Sequence, residues 1–161
     1  MMGKAQEGVG PNGEHTIEVE ATNDVTYDYT FLDGDENKGC FDVANVWLAE
    51  KMREYGRCVA VVDARVWDFY GSNMRAYFAH HELGLEVLPL GIDEEQKSLK
   101  TVEEAMVFFA DVGVMRRETP LIIGGGLITD IVGMACSLYR RSTGSRIRRA
   151  VVVRWACWGS R

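Results

Sequence analysis

The chain has 161 residues, 47% of them apolar, enough for one domain that buries about two-thirds of its unfolded surface. Its formal charge is −6 and its pI about 5.1, so it lacks the basic field that neutralises nucleic-acid phosphates, and a small ligand suits it better. Cys40, Cys58, Cys136 and Cys157 form no CxxC pair and have no histidine near enough to complete a zinc site, which reads as reduced thiols and a cytoplasmic protein. The start lacks the apolar run of a signal peptide, and the longest apolar stretch, 121–139, is broken by Gly124 to Gly126 and by Asp130. A soluble protein with no membrane partner is expected.

Residues 1–14 are Gly-rich and polar and read as a disordered lead-in. Ile17, Val19 and Ala21, then Val25, Tyr27, Tyr29 and Phe31, alternate around a Thr-Asn-Asp turn, which predicts a β-hairpin with one buried face. Phe41, Ala44, Leu48, Met52 and Tyr55 fall three or four apart and stop at Gly56, a helix with its stop signal. "CVAVVD", 58–63, is apolar without alternation, the mark of a strand covered on both faces in a parallel sheet. A helix over about 66–81 follows, then a strand at "LEVLPL". Next come a helix carrying Val102, Ala105, Met106, Phe109 and Val112, and the strand "PLIIG". Strand and helix taking turns predict right-handed crossovers and a three-layer α/β sheet. From Gly144 the composition changes to five arginines, two tryptophans and no carboxylate.

Gly124, Gly125 and Gly126 stand between that last strand and a helix with Ile128, Ile131, Val132, Ala135 and Leu138 on one side. Bare backbone there either lets phosphates approach the N–H groups of the helix start or only makes a tight turn. No Gly-Lys-Ser/Thr follows, and Thr129 stands where the standard dinucleotide fingerprint has Gly, so neither named phosphate motif is present. Asp130, in the first turn, either complements the helix dipole or accepts hydrogen bonds from sugar hydroxyls beside a diphosphate. Asp63, closing its strand, suits a ribose diol or a helix N-cap. Glu94 and Lys97 fall in the loop after the next strand, on the same carboxyl edge. His80 and His81, adjacent at a helix end, suit dipole contacts better than a shared metal, and Cys136 suits the core better than nucleophilic chemistry.

"YDYTFLDG", "GRCVAVVDARV" and "VEEAMVFFADVGVMRRETPLIIGGGLITDIVGMACSLYRRS" resemble the N-terminal half of the sugar phosphate cyclases, relatives of dehydroquinate synthase that close sedoheptulose 7-phosphate into a ring. Within that family the wording is nearer the demethyl-4-deoxygadusol synthases of mycosporine biosynthesis than the 2-epi-5-epi-valiolone synthases, with 3-dehydroquinate synthase a further alternative. The resemblance implies a Rossmann-like NAD-binding domain over 15–143. Gly124, Gly125, Gly126 and Leu127 would lie along the pyrophosphate, and Asp130 near the ribose on the nicotinamide side. Asp63, Glu94 and Lys97 would hold the adenosine end, and Arg141 would bind substrate phosphate across a homodimer interface. Arg65 stands where the family usually has Asn. The reaction implied is a phosphate elimination and aldol cyclisation with transient use of NAD and a metal, zinc or cobalt. The metal's ligands belong to a C-terminal helical domain with no counterpart in these residues. No catalytic residue is therefore assigned, and a non-catalytic NAD-binding module is the alternative. The match ends near Thr143; residues 144–161 are expected to be an aberrant tail from a shifted reading frame or mis-splicing, or else a true strand "AVVV" with a basic end.

Overall fold

The computed structural model describes residues 2–9, 15–22, 39–115, 118–139 and 151–154, the strands at 2–9, 15–22 and 151–154 by their backbone alone. The first unit is an antiparallel ribbon in which β1 (Met2–Val9) pairs with β2 (His15–Thr22), placing Ala5 opposite Val19 and Glu7 opposite Ile17. One expectation is corrected here: residues 2–9 are a strand, paired with β2, rather than part of a disordered lead-in. The alternation of Ile17, Val19 and Ala21 marks β2 in the sequence. The partner, "MGKAQEGV", has no apolar alternation and is joined by main-chain pairing, and the intervening Gly-Pro-Asn-Gly-Glu has the composition of a turn. Val25 to Phe31, the expected second strand, lies outside the described residues.

The second unit holds a parallel sheet of four strands in the order β4-β3-β5-β6: β3 (Arg57–Asp63), β4 (Gly84–Leu90), β5 (Leu121–Gly124) and β6 (Val151–Arg154). β3 is buried along its whole middle, Cys58 to Val62, as its unbroken apolar sequence requires of a central strand. β6 pairs residue for residue with β5, Leu121 opposite Val151 through Gly124 opposite Arg154, so this part of the Arg/Trp-rich segment is a strand.

The helices are α1 (Trp47–Met52), α2 (Ala64–His80), α3 (Leu99–Asp111) and α4 (Gly126–Leu138). α3 and α4 pack on each other and on one face of the sheet. Val102, Ala105 and Phe109 meet Ile128, Ile131, Val132 and Ala135 over Val59, Val61 and Ile122. Each fully buried Val, Ile or Phe contributes about 1.5–3 kcal/mol by leaving water. α2 packs against β3 and β4 through a stripe of Gly71, Met74, Tyr77 and Phe78. Strand alternation assigns it the face formed by Cys58, Ala60 and Val62. The Tyr77 hydroxyl donates to Asn45 O at 2.7 Å and accepts from Ala49 N–H at 2.9 Å, tying α1 to α2.

α1 is shorter than the helix expected from Phe41 to Tyr55. Asp42 Oδ1 accepts from Ala44 N–H and Asn45 Oδ1 from Trp47 N–H, each at 3.0 Å, and these local bonds hold 42–45 in turns so that the helix begins only at Trp47. A 3-10 turn, Arg53–Tyr55, completes the stretch, and Gly56 ends it with φ 65° as the stop signal requires. At the amino edge of the sheet Arg57 reaches Glu118, which is 2% exposed, through Nε–Oε1 at 2.7 Å and Nη2–Oε2 at 2.9 Å. The same guanidinium donates to Val112 O and Gly113 O, fastening the turn after α3 to β3. No helix of the described residues is long and apolar enough to cross a membrane.

Candidate functional site

The chain runs from β3 through α2 to β4 on one side, then through α3 to β5 on the other side of β3. The strand order therefore reverses between β3 and β5, and open α/β sheets bind ligands beyond the carboxyl ends of their strands at such a point. Here those ends are Asp63 and Gly124, next-door neighbours by the register that pairs Val62 with Ile123.

The three glycines differ in what they do. Gly124 has φ 150°, and a Cβ on it would stand 2.5 Å from Ile128 Cγ2 and 3.1 Å from Asp63 Cβ, so its lack of a side chain serves packing. Gly125 is exposed and in extended conformation as the N-cap of α4, and nothing lies within 4 Å of where its Cβ would be. Gly126, also exposed, opens the helix, followed by half-buried Leu127. Gly125 O accepts from Thr129 N–H at 3.3 Å and from Thr129 Oγ1 at 2.9 Å, which closes the first turn. The N–H groups of Gly126, Leu127 and Ile128 precede any helical acceptor and carry the positive end of the dipole into that open space.

Asp63 is the N-cap of α2, its Oδ1 accepting from Arg65 N–H at 2.9 Å. One of the two readings left open for it is thus realised, and its Oδ2 has no partner among the described residues. Beside it lies an open depression of about 260 Å3 lined by Asp63, Arg65, Gly91, Ile92, Asp93 and Gln96. The last four lie outside the residues singled out in the sequence. Their signal is a glycine immediately after a strand and an Asp three residues before Gln, whose N–H it caps at 2.9 Å.

Asp130 is the fifth residue of α4, in its second turn rather than its first, because the helix begins at the third glycine. That distance weakens the dipole reading, since the effect fades beyond the first turn. Its Oδ2 instead meets Lys97 Nζ at 3.1 Å, with side chains 62% and 48% exposed. Glu94 opens the exposed 3-10 turn Glu94–Gln96 that delivers Lys97. The structure thus gathers Asp63, Glu94, Lys97, Gly124, Gly125, Gly126, Leu127 and Asp130 on one sheet edge, while Arg141 lies outside the described residues.

Cys40, Cys58 and Cys136 are buried free thiols; burial pushes Cys40 up to about 11 and Cys136 up to about 12, and drives Cys58 upward as well, so none is a nucleophile at neutral pH. Among the described residues no group of three or more His, Cys, Asp or Glu could hold a metal ion. His81 caps the end of α2 with its ring 4.5 Å from that of Tyr77.

Residues 87–148 match the family described as 3-dehydroquinate synthase N-terminal. Demethyl-4-deoxygadusol synthase of Trichormus variabilis is 41% identical over 130 residues, which is 81% of this chain and 30% of that enzyme. A 2-epi-5-epi-valiolone synthase of Streptomyces hygroscopicus subsp. jinggangensis is 36% identical over 129 residues, 78% of this chain and 30% of the relative. The solved structure of that synthase with NAD+ and Zn2+ bound superposes with a TM-score of 0.68 at 33% identity, covering 85% of this chain and 34% of the other. The chain spans about a third of the length of these relatives. Sequence and fold agree, and the chain belongs to the sugar phosphate cyclases of the dehydroquinate synthase superfamily.

Proposed function

We propose that the second unit is the NAD-binding part of a sedoheptulose 7-phosphate cyclase of the demethyl-4-deoxygadusol synthase kind. The observation that carries this reading is the uncovered Gly125–Gly126 start of α4, between Asp63 and Asp130 at the strand-order reversal. The pyrophosphate lies over the N–H groups of Gly125, Gly126 and Leu127, with Gly124 keeping β5 and α4 close enough to present them. Asp130 accepts from ribose hydroxyls on one side of the diphosphate. Asp63, Glu94 and Lys97 hold the adenosine side, next to the depression. Bound NAD supplies a reversible hydride acceptor for a substrate carbinol. The described residues hold no metal cluster, so the metal named with the Streptomyces enzyme is assigned to none of them. Arg141 is assigned to substrate phosphate across a homodimer interface, and the buried free thiols fit a cytoplasmic location. The deoxygadusol branch is favoured over the valiolone branch by 41% against 36% identity over nearly the same span.

Calorimetric titration of NAD into the chain tests the binding step: saturable binding that Gly125→Val abolishes is expected, and no binding at millimolar NAD would reject it. A chimera in which residues 15–143 replace the matching segment of the Trichormus enzyme tests the chemistry. Conversion of sedoheptulose 7-phosphate with NAD and zinc is expected. A chimera that binds NAD yet converts no sugar phosphate would leave only a dinucleotide-binding module.

A further inference from the structure

The depression beyond the carboxyl ends of β3 and β4, about 260 Å3, is smaller than the roughly 300–1,000 Å3 of a pocket that takes a whole drug-sized ligand. It suits one end of a longer molecule. Both carboxylates on its wall already serve the backbone, Asp63 Oδ1 accepting from Arg65 N–H and Asp93 Oδ1 from Gln96 N–H, each at 2.9 Å. Arg65 is the one basic side chain lining it. Its guanidinium makes no ion pair or hydrogen bond among the described residues, although the two carboxylates share the hollow with it.

An unpaired guanidinium keeps its five donors for an incoming acceptor, in a planar fork that matches phosphate oxygens. A ribose 2′-hydroxyl needs only a carboxylate, whereas a 2′-phosphate needs a cation such as an arginine beside it. On the reading that this edge holds a dinucleotide, we infer that Arg65 sets the choice at the adenosine 2′ position and admits the 2′-phosphorylated cofactor, NADP, alongside NAD. Asp63 and Asp93 repel the added phosphate, so the hollow accepts both forms instead of excluding NAD.

The test measures dissociation constants of NAD, NADP, 5′-ADP and adenosine 2′,5′-bisphosphate for the chain and for Arg65→Ala. The exposed side chain holds no partner among the described residues, so the variant is expected to keep its structure, which circular dichroism checks. NADP is expected to bind within about tenfold of NAD. Arg65→Ala is expected to weaken NADP and the 2′,5′-bisphosphate about 10- to 100-fold, the loss of a charged hydrogen bond, while NAD and 5′-ADP change less than about threefold. NAD binding with NADP over a hundredfold weaker overturns the inference and leaves the dinucleotide reading standing. Equal weakening of all four ligands by Arg65→Ala also overturns it, since the arginine would then act on the shared adenine. If none of the four binds, both readings fall together.

Discussion

Gly124 and Ile128 are so close that a Cβ on the glycine would stand 2.5 Å from Ile128 Cγ2, whereas the same atom on Gly125 would meet nothing within 4 Å. One glycine of the triplet therefore belongs to the core and the next to the solvent side of the helix start. Gly124→Ala adds a clash to a backbone at φ 150° and is expected to destabilise the fold by about 3 kcal/mol or more. Gly125→Ala, at φ −81°, is expected to leave stability within about 1 kcal/mol and to weaken NAD at least tenfold by covering the approach. Denaturant melts beside NAD titrations separate the two.

The Lys97–Asp130 pair is exposed on both sides, and such pairs contribute only about 0–1 kcal/mol to stability. Lys97→Met and Asp130→Asn are expected to melt within about 3 °C of the parent yet to lose NAD affinity roughly tenfold each. Large losses of melting temperature with unchanged NAD affinity would place the pair in the scaffold instead.

Arg57 and Glu118 behave in the opposite way. Arg57→Ala strands a carboxylate that is 2% exposed and is expected to cost about 3–5 kcal/mol. Replacing both with Met and Leu is expected to recover much of that loss. Urea melts of the single and double variants measure it, and NAD binding in the folded fraction is expected to stay unchanged because the pair lies at the other edge of the sheet.

The buried thiols set a pH limit. Cys40 is held up at about 11 and Cys136 at about 12 by burial, above their ordinary value of 9.0, so the native state keeps protons that the unfolded chain releases. Their contribution is complete below pH 9 and is lost as the pH rises through those values, at about 1.4 kcal/mol per thiol per pH unit. Stability is thus expected to be insensitive to these groups near neutrality and to fall above pH 9. Residue-mapped labelling by a thiol reagent at pH 7.5 is expected to spare Cys40, Cys58 and Cys136 until urea unfolds the chain.

Much of this was readable in the residues because the physics was local or periodic. Unbroken apolarity in Cys58 to Val62 announced a central parallel strand, and the spacing of Val102, Ala105 and Phe109 announced the packed face of α3. β1 left no trace, because glycines and alternating polar residues can pair through backbone alone. The sequence alone puts Asp130 in the first turn of α4 and the structure in the second, since a glycine run does not show which glycine begins the helix. The burial of Glu118 was invisible, because its partner stands 61 positions away and the pair forms only when β3 and β5 align. The depression went unseen for a similar reason: Arg65 and Asp93 come together across the ends of β3 and β4.

The central claim is that the amides opening α4 receive a dinucleotide diphosphate, and an amide-resolved NMR titration with NAD addresses it directly. Saturable shifts centred on Gly125, Gly126, Leu127 and Ile128, reproduced by ADP-ribose, are the expected result. Unmoved resonances for those four residues while NAD binds elsewhere on the chain, or no response at millimolar NAD, would contradict it.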